Sequence, residues 1–502
     1  MAATNEHPHS LIIGSVKPEE IICIRRRPHT TSAYTIFSLK EVIGDDDQGG
    51  TSFVLSQTPL AEAPPAAPHE LVIEGPPAHL GRERRVHVIV SALSGTGRAG
   101  RFYGDVLGPL LEGAAGLVEG EGGGYRLVVT RSAASVGEFA RGLGERRDGE
   151  RERHTVVLLS GDGGVVDMLN GVAGADGGGS GPLIALLPLG TGNALFHSLH
   201  KTGVDRAGEQ PPPSDLVRAL RTLLLSGTTE ARLPSFRVDF PPGSRRITYA
   251  GPGSTGTAAD MTVRDTEEEK EVGGEEVADA VVALHGAIVA SYGFHAQLVW
   301  ESDTPAYRRH GAARFGMVAK ELLREAHAYR ADVELTLPSS PGEGRGGKEK
   351  RQIPRDKHAY LLATLVSNLE RTFCISPASR PLDGKLRLVH FGPADGERTM
   401  RIMGGAYEGG KHVGMRWGDG EAEAEGGREG DAGEGKDKGE VGYEEVEELR
   451  ITIREEDPRW RKICIDGTIV EVPVGGTVTV RREEGGKAHL RVLVDRRVVG
   501  AR

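Results

Sequence analysis

The stretch VVLLSGDGGVVDMLNGV, residues 156–172, decides how this chain is read. Four apolar residues run directly into Ser160-Gly161-Asp162-Gly163-Gly164, and helix-like sequence follows. That is the pattern of a buried strand leaving through glycines into a helix, with one carboxylate at the exit. A bare turn does not require that carboxylate.

The same pattern recurs on either side. RVHVIVSAL from Arg85, YRLVVT from Tyr125, HTVVLLS from His154 and LIALLPL from Leu183 are near-continuous apolar runs, most of them followed by helix-like sequence. Such runs belong to parallel strands covered on both faces. PPPSDLVRALRTLLLSG closes the section, with Ser214 or Asp215 as helix start and Gly227 as stop. Residues 85–230 therefore read as an open α/β domain. Residues 231–502 read as a mainly antiparallel, β-sandwich-like domain, interrupted by one amphipathic helix, ARFGMVAKELLREAHAY. Residues 1–84 read as a lead-in, either a small β module or a partly disordered segment. Charged, glycine-rich inserts near 339–352 and 418–442 bury too little surface to order.

Composition narrows the classes. The chain has 502 residues, too many for one compact core, and 72 glycines without a collagen period. A net charge of −10 with no basic stripe argues against a general nucleic-acid binder. Cys23, Cys374 and Cys464 form no metal-ligand spacing, so reduced thiols in a cytoplasmic protein are expected. No run of about 18 apolar residues occurs, so no transmembrane segment is read and a membrane substrate is met peripherally, from the water side. Oligomeric state is not legible.

Open α/β sheets bind ligands beyond the carboxyl ends of their strands. Three such ends carry glycine loops: Ser94, Gly95, Thr96 and Gly97; Gly161, Gly163 and Gly164; and Gly190, Thr191, Gly192 and Asn193. Glycine lets backbone N–H groups approach an anion, and a following helix adds its positive end. Asp162 then has two readings. It is an N-cap for a helix starting near Val165, or it sits beside a transferring phosphoryl group, accepting a proton from a hydroxyl or helping to hold magnesium. Asp167 and Asn170 fall on the following helix, where Asp167 either lines an acceptor entrance or faces solvent.

SGDGGVVDMLNG and LPLGTGNALF resemble the two nucleotide-binding motifs of the diacylglycerol kinase catalytic domain superfamily, which includes sphingosine and ceramide kinases. SYGFHAQLVWESDTPAYRRHGAARF, NLERTFCISPASRPLDGKLRLV and CIDGTIV are similar to later segments of the lipid branch, in the same order, from about Arg85 to Val480. The resemblance implies ATP-dependent, magnesium-assisted transfer to a lipid hydroxyl, in a cleft between the two domains. It makes Asp162 the general base. It places ATP phosphates on Ser94, Gly95, Gly97, Gly161, Gly163 and the Gly190, Thr191, Gly192, Asn193 turn, with Thr130, Arg308, Arg314, Asp466 and Gly467 also at the nucleotide. Asp167 and Glu301 are its candidates for substrate contact; no metal ligand is assigned. Three positions depart from the pattern: Ser91-Ala92 stands for Asn-Pro, Gly164 for the threonine of GGDGT, and Thr468 for the glutamate after Asp466-Gly467. At the place where sphingosine kinases put an acid for an amine head group stands Val299, with Glu301 near by. Two further readings are a small-molecule kinase of the NAD-kinase or phosphofructokinase kind, and a binding module that has lost turnover.

Overall fold

The computed structural model describes residues 16–27, 33–43, 51–64, 68–92, 97–120, 124–132, 134–143, 152–173, 181–200, 211–249, 276–311, 313–339, 349–418, 439–483 and 489–500. The chain divides into two compact units, residues 1–233 with 485–502, and residues 234–484. Most of both charged inserts, and the predicted disorder of the lead-in, lie outside the described residues.

In the first unit, β1 (Ile21–Arg26), β2 (Tyr34–Ile43), β3 (Thr51–Leu60) and β4 (Val72–Ile73) form a sheet in the order β3-β2-β1-β4. This sheet is no detached lead-in. Ile22, Ile24 and Phe37 share one core with Val88, Phe102, Leu110 and Leu220, and Phe53 meets Phe102 edge-on at 5.0 Å. The buried Arg221 guanidinium donates to the carbonyls of Pro18 and Ile21, each at 2.8 Å.

The second sheet of this unit holds β5 (Arg85–Val90), β6 (Tyr125–Val129), β7 (His154–Ser160), β8 (Leu183–Pro188), β9 (Thr228–Arg232) and the C-terminal strand Arg491–Asp495. The order is β6-β5-β7-β8, then the C-terminal strand, then β9. Pairing is parallel throughout except between the last two. The four apolar runs are thus parallel strands, as their patterning requires, and β7 is buried from Thr155 to Ser160. One boundary is corrected. LRVLVD was placed in the β-rich domain, but it fills the place between β8 and β9, where its three central residues, Val492, Leu493 and Val494, are buried in succession.

The second unit is built of two antiparallel sheets. One runs, in spatial order, through Glu276–Ala280, Arg245–Tyr249, Thr468–Glu471, Lys462–Ile465, Val289–Gly293, Tyr360–Thr364, Leu386–Phe391 and Gly442–Val446. The other includes Phe236–Asp239, Thr477–Arg482, Glu448–Ile453 and Tyr329–Thr336. Phe236, Val333 and Ile451 of one sheet share a core with Leu361, Leu388 and Ile463 of the other, as expected of a sandwich. The predicted amphipathic helix is Ala313–Glu325. Two further helices were not foreseen. Phe294–Ser302 follows a strand without a break, and Gly396–Tyr407 contains three glycines that hide its period, although Asp395 caps it by accepting the Arg398 N–H at 2.7 Å.

Candidate active site

Helices begin directly beyond β7 and β8, so the second and third glycine loops lie side by side. Asp162 is the first residue of the helix Asp162–Ala173. Its carboxylate does not cap that helix. Oδ2 accepts the N–H of Ala194 at 2.7 Å and Oδ1 the N–H of Leu195 at 3.1 Å. Asp162 therefore caps the helix Ala194–Leu199, which follows the Gly190–Asn193 turn. The N-cap reading was right in kind and wrong in helix. A helix starts with N–H groups that lack intrahelical partners, and a carboxylate there also meets the positive end of the helix dipole. Burial pushes the Asp162 carboxyl above its ordinary 3.8, while the Leu195 and Ala194 donors pull the other way.

The loops touch backbone to backbone. A Cβ on Gly190 would lie 2.3 Å from the Gly161 Cα, and one on Gly161 would lie 2.8 Å from the Gly190 Cα. The Leu189 N–H donates to the Ser160 carbonyl at 3.2 Å. Asn193 closes the turn on itself: its Oδ1 accepts from the Gly190 N–H at 3.1 Å and its Nδ2 donates to the Gly190 carbonyl at 2.9 Å. Its φ of 52° is one that asparagine tolerates better than most residues. Gly161, Gly190 and Asn193 thus hold the loops together, whereas Gly163 and Thr191 are exposed and Gly192 is half-buried. No atom lies within 4 Å of a Cβ placed on Gly163. Gly163→Val should leave the melting temperature unchanged and weaken ATP binding at least tenfold by crowding a phosphate; unchanged ATP affinity in calorimetry would remove Gly163 from the site.

The departure at Gly164 has a local cause. A Cβ there would lie 2.6 Å from the Ser160 Oγ and 2.8 Å from its Cβ. The serine that opens SGDGG occupies the space that the threonine of GGDGT would need. Gly164→Thr should destabilise the chain by about 1–3 kcal/mol through overpacking. Adding Ser160→Gly should recover most of that loss, and a double-mutant cycle in urea would measure the coupling. Additive losses would show that the two positions are independent.

At the neighbouring strand ends, the buried Thr130 hydroxyl accepts the Ala92 N–H at 3.1 Å, tying the exit of β6 to that of β5. Ser94, Gly95 and Thr96 lie outside the described residues, and Gly97 follows them, exposed, at φ 68°. Asp167 is half-buried on the helix Asp162–Ala173. Five residues at 3.6 per turn place it roughly 140° round from Asp162, on another face.

The remaining predicted residues belong to the second unit. Arg308 and Arg314 converge on one carboxylate. Arg308 donates to Asp303 at 3.0 and 2.6 Å, and the Arg314 guanidinium lies 3.9 Å from the same group. Glu301, on the helix Phe294–Ser302, accepts from Gln297 at 2.6 Å and from Arg459 at 3.0 and 3.1 Å, all on Oε1. Asp466 turns the hairpin Ile465–Thr468 at φ 47° and is buried. Its carboxylate accepts the N–H groups of Ala287 at 2.6 Å, Ile288 at 3.1 Å and Val289 at 2.5 Å. That places Asp466 in the folding of the hairpin against the neighbouring strand, and Gly467 beside it, at φ 89°, completes the turn. Glu471 is held by Lys462 at 2.7 Å and Arg245 at 2.6 Å.

Residues 85–232, from the first residue of β5 to the last of β9, match the family model for the diacylglycerol kinase catalytic domain. The match covers the three glycine loops, Thr130 and Asp162, and stops short of the C-terminal strand that completes the same sheet. Two solved structures from Bacillus anthracis str. Sterne, one described as a diacylglycerol kinase and the other provisionally so, are similar over 83% of this chain and 98% of their own. Identity is 13% for both, with TM-scores of 0.45 and 0.44 respectively. None of the curated proteins matches the chain. No helix among the described residues is long and apolar enough to cross a membrane.

Proposed function

We propose that the chain is a lipid kinase that transfers the γ-phosphate of ATP to a lipid hydroxyl. The observation that carries this reading is Asp162: within a matched diacylglycerol kinase catalytic domain, one carboxylate is fixed between two glycine loops and held above the usual carboxyl range. A carboxyl raised toward neutrality is better matched to accepting a hydroxyl proton than an ordinary aspartate.

In this reading, the backbone at the exposed Gly163 and Thr191 and the half-buried Gly192 contacts phosphate oxygens. Each Asp162 oxygen accepts one N–H, which leaves each a lone pair, one of them for the acceptor proton. Among the described residues, no set of three acidic, histidine or cysteine side chains gathers around Asp162. Magnesium would therefore be held mainly by phosphate oxygens and water, with Asp162 as the nearby carboxylate, and would offset phosphate charge. Glu301 already serves Arg459 and Gln297, which favours a neutral head group, diacylglycerol or ceramide, over a sphingoid amine.

The test is transfer of labelled γ-phosphate from Mg-ATP to sphingosine, phytosphingosine, ceramide, diacylglycerol and monoacylglycerol in mixed micelles. Label in a lipid, absent with Asp162→Asn, is expected. ATP bound with no label in any lipid would overturn the reading in favour of a non-lipid acceptor or a binding module.

A further inference from the structure

A cavity of about 330 Å³ opens in the first unit beside the C-terminal strand. It is lined by four arginines. Arg218 and Arg221 come from the helix Asp215–Leu224, and Arg496 and Arg497 from the short helix after the C-terminal strand. Arg221 is 8% exposed, whereas Arg496 and Arg497 are exposed. Two carboxylates, Glu70 and Asp495, also line it, Asp495 pairing with Arg497 at 2.6 Å, and Asp215 lies 3.7 Å from Arg218, so four arginines face three acids. Burial leaves His200, a further lining residue, neutral at pH 7, its pKa lowered to about 4. Thr228 and Ser226 add hydroxyls, while Leu199 and Val498 give the cavity an apolar wall.

We propose that this cavity binds a small organic phosphomonoester, at a site separate from the glycine loops. Guanidinium groups match phosphate oxygens in bidentate fashion, and three of these four are already held, Arg497 by the Asp495 carboxylate at 2.9 and 2.6 Å. Arg221 is held by the Pro18 and Ile21 carbonyls, and Arg218 donates to the His200 carbonyl at 3.3 Å. Pre-positioned donors lose little freedom on binding. The apolar wall and the volume, at the small end of the roughly 300–1,000 Å³ range of ligand pockets, suit an organic body more than bare phosphate.

The site also reaches Asp162. Leu199 and His200, at the far end of the helix Ala194–Leu199, line the cavity, and Asp162 holds the other end of that helix. The His200 ring stacks on Phe196 at 4.1 Å and meets the Thr222 hydroxyl at 3.3 Å. A phosphate drawing on Arg218 acts directly on the hydrogen bond to the His200 carbonyl, and so on this helix.

The experiment is calorimetric titration of the full chain with glycerol 3-phosphate, inorganic phosphate and phosphatidate vesicles. Saturating non-hydrolysable ATP analogue is present to fill the nucleotide site. Glycerol 3-phosphate is expected to bind at least tenfold tighter than inorganic phosphate, to weaken tenfold or more with Arg496→Ala/Arg497→Ala, and to slow amide exchange over residues 194–199. Both substituted residues are exposed, so the variant should fold with an unchanged melting temperature. Arginine-dependent binding of the vesicles instead would support the site and identify its source as a lipid head group. No binding, binding indifferent to the two arginines, or binding lost when the nucleotide analogue is present would each overturn the proposal, whether or not the chain phosphorylates a lipid.

Discussion

Asp162→Asn should reduce phosphoryl transfer by about 10²–10⁴-fold, the usual contribution of a positioned general base. It should also lower stability, because the carboxylate serves two N–H groups of another helix. An amide has one accepting oxygen; its NH₂ would face the N–H of Ala194 or Leu195 without bonding to it. Loss of an N-cap costs about 0.5–2 kcal/mol, or a fall of roughly 2–4 °C in Tm for each kcal/mol in a unit of this size. Two readouts separate the roles. ATP affinity measured well below the melting temperature should change little, while turnover collapses. In the unsubstituted chain, activity should fall with decreasing pH through a group titrating above the ordinary aspartate value, since the carboxyl must be ionised to accept a proton. Wild-type turnover in Asp162→Asn would reduce this residue to a helix cap.

Gly190→Ala should be severely damaging for a single added methyl group. Its Cβ would sit 2.3 Å from the Gly161 Cα, against a normal carbon–carbon contact of about 3.5–4.0 Å. The Cβ position is set by the main chain and the Gly161 Cα belongs to it, so no rotamer change relieves the clash and the loops must separate. The cost should reach or exceed the upper end of the about 1–3 kcal/mol typical of overpacking. Separation also pulls the helix Ala194–Leu199 away from Asp162, so turnover should be lost together with stability. Gly163→Ala is the control: it adds the same methyl group in open space, and its stability should stay within about 0.5 kcal/mol of the parent. Urea unfolding of the three proteins decides the matter. Equal stability of Gly190→Ala and Gly163→Ala would mean that the close approach is not needed.

What the sequence made legible was local. Runs such as VVLLS and LIALLPL carry their strand assignment in four or five residues, and glycines at their ends mark where a sheet offers ligand-binding loops. The pairing of Asp162 with Ala194 and Leu195 was not legible, because it joins positions 32 and 33 apart and nothing near Asp162 announces the second helix. Asn193 belongs to a recognisable motif, yet its hydrogen bonds to Gly190 leave the exposed work to Thr191 and Gly163. The resemblance put Arg308 and Asp466 at the nucleotide and Glu301 at the substrate. In the fold, Asp303, Arg459 and the backbone of residues 287–289 already engage them. The lead-in was left open between a small β module and a partly disordered segment, and nothing in its short strands announces that Ile22 and Phe37 bury against the same core as Val88 and Val157.

The C-terminal strand between β8 and β9 bears on how the protein is born. Residues 85–232 of a nascent chain emerge long before residues 491–495 leave the ribosome, and domains tend to fold as they emerge. Until then β8 and β9 have no strand between them, with open ladder edges on both sides. The second unit, residues 234–484, is contiguous and can fold meanwhile. The six-stranded sheet is thus the earlier one to be made and the later one to be finished. A premature stop near residue 485 would spare the whole second unit and still leave the sheet that carries the glycine loops without the strand that joins β8 to β9.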